Sequence, residues 1–137
     1  MPNMLPSQPC PCGRQAGKRA LVYAQCCGRY LDHFDTAPAP DAEFLMRSRY
    51  TAFVLGRADY LLATWHAGHR PPSIEFDSGV KWLGLEVRSH RRIDDTNAEV
   101  QFVARQKNPG SPAVRLHERS RFVREEGRWY YVDGDLY

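Results

Sequence analysis

Hydrophobic residues in this chain switch from helical spacing to strict alternation near residue 73. Between residues 41 and 66 they recur at intervals of three and four: Met46, Tyr50, Phe53 and Val54 follow Phe44 and Leu45, and Tyr60, Leu61 and Trp65 come after. That spacing predicts two helices. Asp41 reads as the N-cap of the first, with Glu43 in its opening turn, and Gly56 stops it after Leu55. The second is expected over 58–66, closed by Gly68 and the Pro71-Pro72 pair.

From Ser73 onward the period is two. Leu83, Leu85, Val87 and Ile93 are expected to share one face of a strand over 82–93. Ala98, Val100, Phe102 and Ala104 do so over 97–106, and Val114, Leu116, Glu118, Ser120 and Phe122 over 113–125. A last strand covers 128–132. Asp94-Asp95-Thr96-Asn97, Asn108-Pro109-Gly110-Ser111-Pro112 and Glu126-Gly127 supply the turns. Two helices followed by a strand meander give an α+β fold, its helices packed on one face of a curved antiparallel sheet.

Ahead of this lies a different kind of chain. Residues 1–9 hold three prolines and little to bury, and are expected to be a flexible leader. Residues 10–35 form a cysteine-bearing unit, with a tight turn at Cys12-Gly13 and a short helix over 18–25 leading to Cys26. The Ala-Pro run at 36–40 is a linker, and 41–137 is the main domain, whose own apolar pattern suffices for it to fold without the cysteines.

Composition narrows the classes. The chain has 137 residues, 42% hydrophobic and 12% aromatic, which suffices for a globular core. No run nears the roughly 18 apolar residues of a membrane span. The start carries neither a basic segment nor an apolar one, so no signal peptide is expected and the cytoplasm is the expected compartment. A net charge of +3 is too mild to predict a nucleic-acid partner. Arg88, Arg92, Arg105, Arg115, Arg119 and Arg121, with His90 and His117, are assigned to the outward strand faces. There Glu86, Glu99 and Glu125 interleave with them, as on a solvated surface.

The four cysteines change the picture most. Cys10 and Cys12 form a CxC pair, Cys26 and Cys27 follow after thirteen residues, and none is left over. In a reducing compartment, clustered thiols bind metal more often than they form disulfides. One tetrahedral thiolate site suits zinc, and four protein ligands leave no open position, so the metal would be structural. Arg14, Lys18, Arg19 and Arg29 are placed to offset its negative charge. The alternatives are a vicinal disulfide between Cys26 and Cys27 and a group of unligated thiols.

In the main domain Glu118 stands out, because alternation directs it into the sheet's concave, apolar side. A carboxylate there needs a partner, with Arg47, Arg49 and His66 as candidates. It ties helix to sheet, or acts with His66 as acid and base in a pocket, or grips a ligand there. Tyr50, Trp65, Trp82, Trp129 and Tyr131 could line that pocket or simply fill the core. No Ser-His-Asp set, phosphate-cradling glycine loop or HExxH helix is present.

Several stretches together carry a family resemblance: Cys10-Pro11-Cys12-Gly13, Cys26-Cys27-Gly28, the block from Ala42 to Phe53 around Leu45-Met46-Arg47-Ser48-Arg49-Tyr50, Tyr60 to His66, His117 to Phe122, and Gly127 to Gly134. The chain resembles the bacterial YchJ-like family. The cysteine segment looks like a SEC-C motif, which implies zinc held by Cys10, Cys12, Cys26 and Cys27. Because a similar module occurs in the preprotein translocase ATPase, the resemblance also implies a protein partner, of the secretion or ribosome-associated kind. The main domain is similar to the nuclear-transport-factor-2-like cone, which implies a pocket for a small molecule, with Arg47, Tyr50, Trp65, Trp82, Glu118 and Trp129 as its candidate residues. Ketosteroid isomerase shares that broad fold, so an isomerase or dehydratase using Glu118 and His66 is the alternative to a pure binding role.

Overall fold

The computed structural model describes residues 5–76 and 79–137. The first four residues of the expected leader lie outside the described ones, but the rest of it is tied down. Tyr23 donates its backbone N–H to the Gln8 carbonyl (2.8 Å), and Ala24 donates to Pro6 (3.1 Å). After Cys12 the chain turns at Gly13, whose N–H reaches the Cys10 carbonyl at 3.1 Å. It then forms a small hairpin of β1 (Gln15–Ala16) and β2 (Arg19–Ala20), a 3-10 turn over Tyr23–Gln25, and the short helix α1 (Gly28–Leu31). The helix expected over 18–25 is therefore not formed. Gly17 takes a φ of +63° at the hairpin tip, and N–H bonds from Leu21 to Arg14 and from Cys10 to Leu21 hold the chain segments side by side instead.

The first long helix follows the sequence closely. α2 (Ala42–Leu55) begins at Asp41, whose carboxylate accepts the Phe44 N–H at 2.8 Å, and ends at Gly56. Because that bond satisfies one of the four orphan donors at the helix start, Asp41→Ala is expected to cost about 1 kcal/mol. Urea unfolding checks this, with Asp41→Asn as the variant that retains the cap. α3 (Ala58–Ala63) is shorter than expected. Beyond it the backbone pairs with the sheet: Tyr131 donates to the Thr64 carbonyl and His66 to the Tyr131 carbonyl, each at 2.8 Å. Two good sheet bonds replace another half turn of helix.

The sheet is an antiparallel meander in the order β3 (Lys81–Arg92), β4 (Asn97–Lys107), β5 (Val114–Glu125) and β6 (Arg128–Leu136). Both helices lie on its concave side, where Leu45, Leu61 and Val100 are fully buried. A hydrogen bond of 2.8 Å between Ser48 Oγ and Tyr60 OH joins α2 to α3 inside this core.

Two irregularities in β3 correct the strand pattern. The register slips between Trp82 and Gly84 and again between Val87 and Ser89. Each slip inserts one unpaired residue and so reverses the alternation. Gly84 holds a φ of +155°, and a Cβ there would lie 2.9 Å from the Arg105 guanidinium. As a result Trp82, not Leu83, faces the helices with Leu85 and Val87; Leu83 is 44% exposed. Past the second slip, His90 and Arg92 turn to the helix side, against their expected outward placement. His90 approaches Glu43 of α2, and Arg92 lies over Trp129.

The outward face of β4–β6 carries ion pairs. Arg121 bonds Asp133 at 2.5 Å and Asp135 at 2.8 Å, while Arg119 bonds Asp135 at 3.0 Å and approaches Glu99. Arg119 and Arg121 are thus matched within the sheet.

Candidate functional site

α2 carries two candidate sites on neighbouring faces. Arg47 and Thr51, four residues apart, face the cysteine segment. Met46, Arg49, Tyr50 and Phe53 face a cavity between the helix and the sheet. At about 100° per residue these sets lie roughly a third of a turn apart.

Cys10, Cys12, Cys26 and Cys27 are all buried, and their sulfurs lie within 4.8 Å of one another. The Cys12 and Cys26 sulfurs are 3.5 Å apart. A tetrahedral ion with ~2.3 Å bonds to sulfur needs edges of about 3.8 Å, so the four donors fit a single metal ion. All four are free thiols, and no Cys26–Cys27 disulfide is formed. The cluster's electrostatics point the same way. Hydrogen bonds from Cys12, Cys26 and Cys27 push the Cys10 thiol well below its ordinary value, while bonding to Cys10 and Cys12 pushes Cys26 and Cys27 up. Adjacent buried sulfurs cannot all ionise without a cation to share.

Around the cluster, Thr51 Oγ1 lies 3.8 Å from Cys10 Sγ. Arg29 donates to the Cys26 carbonyl and Arg47 to the Cys12 carbonyl, each at 3.2 Å. Of the four basic residues assigned to charge compensation, Arg29 therefore reaches the site. Arg14 instead stacks on Phe44 at 4.2 Å, and Lys18 and Arg19 project from the exposed hairpin. Arg47, expected in the pocket, serves here with Glu43 as its ion-pair partner. The apolar cluster runs without a break from the cysteines through Tyr30 and Leu31 into Leu45 and Met46. The cysteine unit and the helix share one core.

The cavity has a volume of about 230 Å³. Tyr50, Trp65, Trp82 and Glu118 all line it, as the sequence suggested, together with Phe102, Phe122 and Tyr131. Trp129 does not; it is buried beside Phe34 and Tyr60 instead. His66 also lies away from the cavity, bonded to Glu125 and in ring contact with His69 and Tyr130. Glu118 and His66 are thus not brought together.

What surrounds Glu118 is a set of neutral donors. Ser120 Oγ donates to its Oε2, and Tyr131 OH does so at 3.2 Å. Gly134 makes this possible: it pairs with Ser120 across β5 and β6, and a Cβ there would lie 2.6 Å from the Glu118 carboxyl carbon. The carboxylate fills the space a neighbouring side chain would take. A glycine inside a strand pattern is the one sequence signal that marks such a close approach. Ser120 was visible only as an inward-facing residue.

Arg49 is the other charge in the cavity wall, 6% exposed. Its Nη1 donates to the Leu61 carbonyl at 2.8 Å and to Thr64 Oγ1 at 2.7 Å, and its guanidinium lies 4.6 Å from the Tyr131 ring centre and 5.1 Å from that of Trp65. It makes no ion pair with a described carboxylate. Burial pushes it down to about 10, and Tyr131, Tyr60 and Glu118 partly offset the effect. Trp65 adds a buried Nε1–H that has no acceptor among the described residues.

Comparison with known proteins fits this geometry. Residues 41–134 match the family model described as the YchJ middle NTF2-like domain. A UPF0225 protein of Polaromonas sp. (strain JS666) is 75% identical over 133 residues, covering 96% of each chain. One from Bordetella pertussis is 54% identical over 134 residues, again covering 96% of each. Among solved structures, a SEC-C motif containing protein from Psychrobacter arcticus superimposes with a TM-score of 0.79 at 31% identity, covering 98% of this chain and 86% of that one. A SEC-C motif containing protein from Rhodopseudomonas palustris gives 0.78 at 32% identity, covering 95% and 99%. With its α+β cone, its clustered N-terminal cysteines and these relatives, the chain belongs to the YchJ-like, UPF0225 family.

Proposed function

We propose that this chain is a binding protein in which a zinc centre of Cys10, Cys12, Cys26 and Cys27 braces α2, and the cone's cavity takes a small molecule. The observation that carries the reading is the cavity itself: about 230 Å³ of mostly apolar space with a buried, unpaired guanidinium, Arg49, in its wall. A buried charge with no ion-pair contact costs stability, and chains keep such groups where function uses them. Four thiolates at tetrahedral spacing favour zinc over harder divalent ions. When bound, zinc would supply folding energy to a segment too short to hold itself by apolar burial.

Catalysis of the isomerase or dehydratase type is less well supported, because Glu118 lacks His66 as a partner. The group at hand is the Tyr131 hydroxyl, which burial pushes above its usual range. The cysteine-anchored hairpin supports a further role in docking a protein partner, of the secretion or ribosome-associated kind that the family resemblance suggests. Its exposed Lys18 and Arg19 suit an acidic surface. A cytoplasmic setting suits thiolates that must stay reduced.

Amide spectra of ¹⁵N-labelled protein, recorded with a library of neutral, acidic and basic ring fragments, test the cavity. Shifts centred on Tyr50, Phe102 and Ser120 are expected, and Ala104→Phe should abolish them by filling the space. A library that moves no signal from the cavity wall, or shifts that survive Ala104→Phe, would sink the reading.

A further inference from the structure

The cavity wall is apolar except at one end, where three groups of different chemistry meet around the Tyr131 ring. Arg49 lies over the ring face, and the described residues provide no acceptor for its Nε or Nη2. Trp65 meets the same ring nearly edge-on, with centroids 5.2 Å apart, and its Nε1–H is unsatisfied. Glu118 takes the Tyr131 hydroxyl and Ser120 on Oε2, leaving Oε1 without a donor among the described residues. We infer that the cavity selects a small, uncharged ring compound whose polar edge carries one hydrogen-bond acceptor and one donor, the acceptor to Arg49 and the donor to Glu118. This holds only if the cavity is a ligand site in the first place.

Charge balance chooses among ligand classes. Arg49 and Glu118 already place one formal charge of each sign in the wall. A bound carboxylate would gain Arg49 but meet the Glu118 carboxylate inside a low-dielectric space. An ammonium group would gain Glu118 and meet Arg49. Either one buries a third charge that the wall cannot neutralise. A neutral edge with an acceptor beside a donor satisfies both wall groups and adds no charge. A purely apolar ring would fill the volume and leave the unspent N–H groups and Oε1 unpaired.

Size sets the other bound. The 230 Å³ corresponds to about eight water-sized groups at ~30 Å³ each. That is enough for one bicyclic lactam or phenol-like ring and too little for a nucleotide or a sterol. Gly134 belongs to the same design: without its missing side chain, Glu118 could not turn its carboxylate onto Ser120 and Tyr131.

Four probes of similar size separate the classes: oxindole, a neutral lactam; benzoate; benzylammonium; and naphthalene. Their dissociation constants are read from titrations of the cavity-wall amide signals in the zinc-loaded chain. Oxindole is expected to bind at least about tenfold more tightly than the other three, the size of effect expected when a site's polar groups are left unpaired. Arg49→Met should weaken oxindole about tenfold and leave naphthalene unchanged. Glu118→Gln removes the negative charge, so benzoate should gain on oxindole. Wild-type titrations decide the ranking even if a variant misfolds, which the amide spectrum would reveal. Naphthalene equalling oxindole, or benzoate or benzylammonium binding most tightly, overturns the ligand class and leaves cavity binding standing. If none of the four moves a cavity-wall signal while larger fragments do, the inference also falls. Silence from every fragment removes the cavity reading as well.

Discussion

Cys12→Ser is expected to abolish the proposed zinc centre and to loosen the first helix along with the cysteine segment. A bound ion stabilises the folded chain by mass action, so losing one present at about a hundred times its Kd should cost about 3 kcal/mol. For a domain of this size that lowers Tm by roughly 10 °C. The effect should reach α2, because the four cysteines, Tyr30 and Leu31 belong to the same apolar cluster as Leu45 and Met46, and Thr51 lies against Cys10. Metal content by mass spectrometry should fall from one ion per chain to near none, and hydrogen exchange should speed up in α2 as well as in 10–35. The pH dependence has a fixed sign. In the proposed centre the cysteines bind as thiolates, so protons compete with the metal, and zinc held at neutral pH is expected to be released as pH falls. If the variant keeps its zinc, or if α2 exchanges as slowly as before, then the cysteines do not brace the cone. The same variant in a pull-down from cell extract tests the docking role, which predicts loss of the captured partner.

Leu61→Ala is expected to cost about 2–5 kcal/mol, the range for emptying a fully buried leucine site. The paired control is Leu83→Ala, which should change stability by no more than about 0.5 kcal/mol, because that side chain stands 44% exposed at the β3 bulge. Alternation alone would assign Leu83 to the core with Leu85, so the control tests the bulge directly. Denaturation curves for both variants are sufficient. Equal losses at the two positions would mean that the register slip at Gly84 is absent.

The elements most legible in the sequence were those specified by local chemistry. Asp41 capping, the 46–50–53 spacing and the Gly56 stop defined α2, and alternation with turn residues located all four long strands. The cysteines, lying within one short segment, announced a common site. Legibility failed where one residue altered a period or where distant backbone made the better offer. The hairpin at 15–20 displaced an expected helix because Gly17 turns the chain and the Cys10, Arg14 and Leu21 backbones pair. α3 stopped early because Tyr131 supplied sheet bonds to residues 64 and 66. His66 thereby left the cavity for Glu125.

By itself, then, the sequence determined the family, the α+β class, the cysteine set and the inward placement of Glu118, since each depends on residue type and spacing along the chain. Only the tertiary structure decided which charges share the cavity. Arg49 and Arg47 sit two residues apart on one helix, yet one lines the cavity and the other serves the cysteines, a split set by the 100° step and by what each face meets. Gly134 acquires its meaning from Ser120 and Glu118 on a neighbouring strand, a contact no local pattern encodes.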